Sequence, residues 1–114
     1  VICRSGASSV AELCVLGRPA IMIPLPGSLD ADQKNNALFL EDAGGGWVVE
    51  QATVSPQSLA TRLAGIFEEP QVLTDAAAAA KNLGQPQAVD ILAATAERVA
   101  ARLNDPATIG EKDV

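Results

Sequence analysis

Apolar positions in the first half of the chain fall into three short runs, separated by longer stretches with helical spacing. The runs are residues 1–3, 20–24 and 47–50, and such short continuous runs are typical of buried strands in a parallel sheet. The stretches up to residue 16 and over residues 30–41 predict helices between them. Because a βαβαβ order forms right-handed crossovers on a parallel sheet, we predict an α/β fold.

The second half of the chain predicts helices only. Ser55 is a typical N-cap, and Pro56 suits the first helical position of an amphipathic helix whose apolar stripe is Leu59, Leu63, Ile66 and Phe67. Pro70 breaks this helix, and residues 72–83 predict an alanine-rich helix. A final helix carries an apolar stripe made by Val89, Leu92, Ala96, Val99 and Leu103.

Size and charge restrict the class of protein. The 114 residues allow one small domain, expected over residues 1–103, with a mobile polar tail over 104–114. The formal charge of −6, without a basic cluster, argues against a nucleic-acid partner, and no apolar run approaches the length of a membrane span. Val1 opens inside a predicted strand and is not a Met, so we expect the sequence to be a piece of a longer protein.

The residue types also exclude several chemistries. The sequence has no His, which removes Ser-His-Asp and Cys-His nucleophilic systems and His-ligated zinc from this chain. Cys3 and Cys14 are isolated, and we interpret both as small buried apolar side chains rather than a disulfide framework. This use of cysteine favours a cytosolic setting.

The residues around Gly6 carry the candidate chemistry. A tight glycine turn between a strand and a helix leaves unpaired N–H groups and the positive end of the helix dipole at one spot, and such a spot holds phosphate without lysine. Glu12 lies on the second helical turn, within reach of a ribose hydroxyl. The alternative is an ordinary helix cap by Ser8 or Ser9 with a solvated Glu12, since one Gly is neither the dinucleotide fingerprint nor a P-loop.

A second loop, over residues 25–32, follows the carboxyl end of the second predicted strand. Ligands of parallel sheets lie outside the carboxyl ends of the strands, so this loop and residues 4–9 are predicted to converge on one cleft. Asp30 and Asp32 have the spacing of an Asp-x-Asp metal motif. We interpret them as complements to the dipole of the helix that follows, and we expect no metal site.

Several short motifs occur in an order that resembles a known family. They are Cys3-Arg4-Ser5-Gly6-Ala7, Glu12, Gly17-Arg18-Pro19-Ala20, Pro24, Asp32-Gln33, Asn36-Ala37 and Ala43-Gly44. Together they resemble the C-terminal domain of the MurG family, the bacterial UDP-N-acetylglucosamine transferases that act on lipid-linked muramoyl-pentapeptide. The resemblance extends from Val1 to about residue 101.

The resemblance implies a fold and a division of labour. The family has the GT-B architecture, in which two Rossmann-like halves face each other across a cleft. This chain would be a partial Rossmann-like parallel sheet with flanking helices, from the C-terminal half that binds the UDP-sugar. The N-terminal half, absent from this sequence, would bind the lipid-linked acceptor and supply the base. The earlier glycine-rich loop and the part of the pocket for uracil are also absent, so we expect weak binding and no catalysis from the chain alone.

The resemblance also implies roles for individual residues. The turn of Ser5, Gly6 and Ala7, together with Ser8 and Ser9, would face the pyrophosphate, and Glu12 would accept hydrogen bonds from the ribose hydroxyls. On the second loop, Gln33 would contact the hydroxyls of the N-acetylglucosamine, and Asp32 stands where the family also carries Gln. Asn36 would fix the loop rather than contact the sugar. No catalytic residue, metal or cofactor is expected in this chain.

The implied reaction is an inverting transfer of N-acetylglucosamine from UDP-N-acetylglucosamine to lipid I, giving lipid II. It serves peptidoglycan synthesis, and with it cell-wall biogenesis, cell shape and cell division, and the intact protein would lie peripherally on the cytoplasmic face of the inner membrane. Two alternatives stay open. The chain could be a short donor-binding subunit of a two-chain glycosyltransferase, or a non-catalytic module that self-associates through a sheet edge and apolar helix faces.

Overall fold

The computed structural model describes residues 1–104, and the predicted tail lies outside the described residues from residue 105 onward. A short 3₁₀ turn, Leu29–Ala31, precedes the second helix. The elements in chain order are β1 (Ile2–Cys3), α1 (Ala7–Leu16), β2 (Ala20–Met22), α2 (Asp32–Asp42), β3 (Gly46–Val48), α3 (Pro56–Glu68), α4 (Pro70–Leu83) and α5 (Ala88–Leu103).

The three strands form one parallel sheet in the order β1-β2-β3, which confirms the predicted α/β topology. Met22 of β2 stands beside Cys3 on one side and Val48 on the other. The backbone N–H of Ile23, just beyond β2, donates to the carbonyl of Cys3 over 2.9 Å. The carboxyl ends of β1 and β2 therefore lie side by side, and the loops that follow them start from neighbouring points.

One face of the sheet is buried beneath α1, α2 and α4, as the short apolar strands predict. Met22 and Leu40 are fully buried at its centre, and alanines on α2 and α4 let these helices approach closely. Burial of this face removes a contiguous apolar surface from water, which is the main stabilising contribution to a domain of this size. Its core consists of Val10, Leu13, Cys14, Ala20, Met22, Ala37, Leu40 and Ala80.

The opposite face of the sheet is only partly covered. Side chains of all three strands, of α3 and of α4 line a groove of roughly 340 Å³ on this side. They include Ile2, Ile21, Trp47, Leu63, Ile66, Phe67 and Leu73. β1 forms the edge of the described sheet, and Ile2 remains 47% exposed. The described residues thus include an exposed strand edge and a partly open apolar face.

The start of α2 differs from its prediction by two residues. Asp30 and Ala31 have φ angles of 56° and 54°, in the left-handed region, so the helix that the sequence predicts from residue 30 begins at Asp32. A non-glycine residue in this region carries a conformational cost, which hydrophobic periodicity does not reveal. Gly44, with φ of 82°, follows the end of α2 as predicted.

The predicted cap of α3 is confirmed. The hydroxyl of Ser55 accepts from the N–H of Ser58 over 3.1 Å, and the hydroxyl of Ser58 accepts from the N–H of Ser55 over 2.9 Å. This reciprocal pair satisfies two backbone donors at the start of the helix. Pro70 ends α3 as expected, but it also begins α4 two residues earlier than predicted, because proline suits the first helical position.

The last helix, α5, extends away from the sheet, and the described residues span 66 Å along their longest axis. Its predicted apolar stripe is exposed to solvent, with Val89 at 80% and Leu92 at 70% exposure. Among the helices of residues 1–104, none combines the length and the apolar character needed to cross a membrane.

Two glycines offer a matched test of this packing. A Cβ on Gly46 would lie 2.5 Å from the carbonyl oxygen of Ala20, whereas a Cβ on Gly65 of α3 would meet no atom within 4 Å. We expect Gly46→Ala to lower the free energy of unfolding by roughly 1–3 kcal/mol through overpacking. Gly65→Ala should raise it by about 0.5–1 kcal/mol, because alanine is the better helix former. Urea denaturation of both variants measures this, and equal stability of the two would contradict the packing of β3 against β2.

Candidate functional site

The turn between β1 and α1 leaves the start of the helix open. Gly6 is the N-cap of α1, and no side chain accepts a hydrogen bond from the first turn. Ser8 and Ser9 lie inside that turn and are exposed, so the interpretation of either as the cap is wrong. Val10 is the first residue whose N–H bonds back into the helix, to the carbonyl of Gly6 over 3.0 Å. The preceding N–H groups therefore meet no carbonyl of the helix.

Gly6 is not required by the backbone conformation. Its φ of −61° and ψ of 153° are accessible to any residue, so the turn itself does not need glycine. A Cβ built on Gly6 would meet no atom within 4 Å. The missing side chain instead keeps open the space in front of the helix start.

Ser5 lies behind this open space. Its side chain is fully buried, and its hydroxyl donates to the carbonyl of Gln33 over 2.6 Å. The carbonyl of Ser5 accepts from the amide of Asn36 over 3.1 Å. The hydroxyl of Ser5 is thus directed into the protein, and the turn presents backbone N–H groups and the hydroxyls of Ser8 and Ser9 to the solvent.

The two predicted loops meet at the carboxyl edge of the sheet, as the parallel topology requires. The guanidinium of Arg4 donates to the carbonyls of Ile23 and Pro24 over 3.1 and 3.3 Å. The side-chain oxygen of Gln33 accepts from the N–H of Leu25 over 2.9 Å. With the bond from the Ser5 hydroxyl to the carbonyl of Gln33, these contacts show that the two loops start side by side and are joined. That they line one cleft stays a prediction.

The remaining candidate residues are exposed. Glu12 lies on the second turn of α1, and its spacing of four residues from Ser8 puts both side chains on one face of the helix. Asp32 is the first residue of α2, where a carboxylate complements the helix dipole. Within residues 1–104, no group of three or more His, Cys, Asp or Glu side chains could hold a metal ion.

Asn36 and Arg4 both form bonds at this edge, but only the role of Asn36 was predicted from the sequence. The prediction that Asn36 fixes the loop is confirmed by its bond to Ser5. The anchoring role of Arg4 was missed, because its acceptors are main-chain carbonyls 19 and 20 residues away. The one sequence signal for Arg4 was its position directly after a predicted strand, which places it at the carboxyl edge of the sheet.

The two thiols are unsuited to nucleophilic chemistry. Cys14 is buried in the core, and this burial raises the pKa of its thiol. Burial also raises the pKa of the Cys3 thiol, against a smaller opposing effect of the nearby Val1 ammonium group. Because the thiolate is the reactive form, both side chains behave as the small apolar residues that the sequence predicts.

A parallel sheet, two joined loops at its carboxyl edge and an open helix start place the domain in the Rossmann-like α/β class. More narrowly, the chain belongs to the glycosyltransferase family 28 C-terminal domain, whose family model matches residues 1–92. This match confirms the resemblance on which the site assignments rest.

Two curated proteins show high sequence identity to this chain. A Granulibacter bethesdensis protein named UDP-N-acetylglucosamine--N-acetylmuramyl-(pentapeptide) pyrophosphoryl-undecaprenol N-acetylglucosamine transferase is 53% identical over 98 residues, which are 86% of this chain and 26% of that protein. A Rhodospirillum rubrum protein of the same name is 48% identical over 101 residues, or 85% of this chain and 26% of that protein. This chain therefore spans about a quarter of the length of these curated relatives.

A solved structure confirms the predicted fold class. The crystal structure of Acinetobacter baumannii MurG matches with a TM-score of 0.77 and 34% sequence identity, over 85% of this chain and 29% of that chain. The three-stranded sheet with its flanking helices corresponds to part of the C-terminal half of that GT-B enzyme.

Reactivity of the two thiols tests the burial of the core. At pH 7.5 we expect Cys14 to react with an aromatic disulfide reagent roughly tenfold or more slowly in the folded chain than in denaturant, because its thiolate is suppressed and shielded. Cys3, which is half-buried, should react first, and peptide mass spectrometry distinguishes the two. The folded chain binds the thiol protons of Cys3 and Cys14 more tightly than the unfolded chain does. The free energy of unfolding should therefore fall as the pH rises through the titration of these thiols. Equal rates in the folded and denatured chain would contradict the burial of Cys14.

Proposed function

We propose that this chain is the donor-binding part of an inverting glycosyltransferase that moves N-acetylglucosamine from UDP-N-acetylglucosamine to lipid-linked muramoyl-pentapeptide. The observation that carries the proposal is the uncapped, unobstructed start of α1 at the carboxyl edge of a parallel sheet, in a chain of the glycosyltransferase 28 family. The names of the relatives supply the donor and the acceptor.

The start of α1 suits a diphosphate. Its first N–H groups and the positive end of the helix dipole lie beside Gly6, where an added Cβ would meet no atom within 4 Å. The UDP leaving group gains negative charge as the bond to the sugar breaks. Fixed backbone dipoles aimed at that charge therefore stabilise the transition state more than the bound donor, and they need no metal to do so.

Side chains on α1 and α2 would form hydrogen bonds with the ribose and with the N-acetylglucosamine. Glu12, on the same face as Ser8, offers two carboxylate oxygens that accept from a ribose diol. Gln33 uses its side-chain oxygen within the protein, which leaves its amide N–H groups to donate to a sugar hydroxyl. Asp32, exposed beside it, is a second candidate for the sugar.

In this proposal, the acceptor is bound by a part of the protein that lies outside the quarter of the relatives matched by this chain. In the proposed enzyme the other half binds the lipid-linked acceptor and supplies the base, and the protein lies peripherally on the cytoplasmic face of the inner membrane. Its product, lipid II, feeds cell-wall biogenesis and thereby cell shape and division.

A self-associating module is the second candidate, and the exposed apolar stripe of α5 favours it. A short donor-binding subunit of a two-chain enzyme would share the donor site proposed here. Sedimentation of the natural full-length protein tests self-association, since a monomer at micromolar concentration would exclude that candidate. The length of the natural protein distinguishes the other two possibilities, because a two-domain enzyme is much longer than a donor-binding subunit.

Substitution of Gly6 tests the diphosphate site. In the natural full-length protein, Gly6→Ala and Gly6→Val should lower UDP affinity stepwise, with valine causing a loss of roughly tenfold or more, because the added methyl groups occupy the space of the phosphate. The fold should survive, since a Cβ at this position meets no protein atom, with a small loss of thermal stability because alanine and valine are poorer N-caps than glycine. Gly65→Ala is the matched control, as it adds the same methyl group in open space on α3. Unchanged UDP binding in Gly6→Val, measured by calorimetry, would place the site elsewhere.

Two substitutions of Gln33 separate contact with the sugar from support of the loop. Gln33→Glu keeps an oxygen for the N–H of Leu25 but removes the amide donor, whereas Gln33→Ala removes both. If the amide donates to the sugar, both variants should transfer from UDP-N-acetylglucosamine roughly tenfold more slowly, while inhibition by UDP stays near the unmutated value in Gln33→Glu. Normal transfer by Gln33→Glu, with losses in Gln33→Ala alone, would show that Gln33 supports the loop and does not read the sugar.

A further inference from the structure

Ser5 joins the two halves of the proposed site through both of its polar groups. Its hydroxyl donates to the carbonyl of Gln33, 28 residues along the chain, over 2.6 Å. Its carbonyl accepts from the amide of Asn36, 31 residues along the chain, over 3.1 Å. One buried residue of the phosphate turn thus holds the first two turns of α2 by two bonds of opposite direction.

Apart from the bond between the Leu25 N–H and the Gln33 side chain, the connection between β2 and α2 does little to hold α2 in this position. Leu25 and Leu29 are exposed, and Asp30 and Ala31 adopt left-handed conformations immediately before the helix. Such conformations persist only where the surroundings determine them. The position of the α2 start relative to the turn therefore depends on the two bonds to Ser5, on the bond between Leu25 and Gln33, and on the buried Ala37 and Leu40 further along the helix.

We propose that Ser5 and Asn36 are positioning residues, which set the distance between the phosphate turn and the start of α2 and thereby control recognition of the donor sugar. The proposal rests on the proposed function. The diphosphate would be held on the α1 side of these bonds, and the residues proposed to read the sugar, Asp32 and Gln33, lie on the α2 side. The carbonyl that Ser5 binds belongs to Gln33 itself.

The physical basis is the short range of hydrogen bonds. A donor and acceptor that pair at about 2.7–3.2 Å are largely uncoupled once they move about an ångström apart. A small displacement of α2 from the turn would therefore remove the contacts to the sugar hydroxyls. It would leave the phosphate contacts intact, because these come from the start of α1. Ser5 and Asn36 need not contact the donor to have this effect.

Adjacent asparagines on α2 provide a matched pair for the test. Asn36→Asp replaces the amide donor by a carboxylate oxygen that faces the carbonyl of Ser5, which breaks the bond and adds repulsion. Asn35→Asp makes the same chemical change one residue away, at an exposed position with no hydrogen bond to the described residues. Both variants are made in the natural full-length protein, and calorimetry gives the Kd for UDP and the Kd for UDP-N-acetylglucosamine.

For Asn36→Asp we expect the Kd of UDP to stay within about twofold, while the ratio of the UDP-N-acetylglucosamine Kd to the UDP Kd rises roughly tenfold. Asn35→Asp should leave both constants unchanged. A loss of folded protein alone would lower the number of binding sites but would not move this ratio, so the ratio separates positioning from stability. Ser5→Ala, which removes the hydroxyl and adds no charge, should shift the ratio in the same direction, and it decides the question if Asn36→Asp does not fold.

Two results would overturn the proposal. One is an unchanged ratio in the variant that folds, and the other is an equal loss of affinity for UDP and UDP-N-acetylglucosamine, which would mean that the bonds shape only the phosphate turn. A failure of the proposed function gives a different result, because the unmutated protein would then bind neither nucleotide.

Discussion

Parallel pairing of β1 with β2 is the constraint on which the candidate site depends. The pairing puts Cys3 beside Met22, so the residues that follow these strands leave the sheet next to each other. Arg4 can then reach the carbonyls at the end of β2, and Ser5 can reach the start of α2. The pairing itself is stabilised by burial of Met22 beneath three helices. A shift of one residue between the strands would turn Met22 to the other face and separate the two loops.

The elements with strong local signals were predicted well. Short apolar runs identified the strands, and Ser55 with Pro56 identified the start of α3, because capping and periodicity involve residues close together in the sequence. The prediction was wrong where conformation depends on more distant contacts. Asp30 is of a type that tolerates the left-handed region, but Ala31 is a strong helix former, and nothing local shows that it lies outside the helix.

The site was predicted from order and resemblance more than from single residues. The turn at Gly6 and the loop that follows β2 were expected to lie together, and hydrogen bonds from Arg4 and Ser5 join them. The dihedral angles of Gly6 do not require glycine, and its missing side chain leaves open space in front of the helix start, which the sequence does not reveal. The burial of Ser5 could not be predicted either, because its partners are distant in sequence and main-chain carbonyls look alike at every position.

The attachment of α2 also affects how this domain opens. Hydrogen bonds from Ser5 and Arg4 join an exposed loop to the sheet, whereas the strands and α1 are held by the buried core. Proteins open first in units with few buried contacts, so we expect the segment from Leu25 to the start of α2 to open locally while the sheet remains intact. A ligand held by both sides would bind only the closed form and would raise the free energy of this opening. Amide exchange in that segment would then slow on binding, although the rest of the domain exchanges as before.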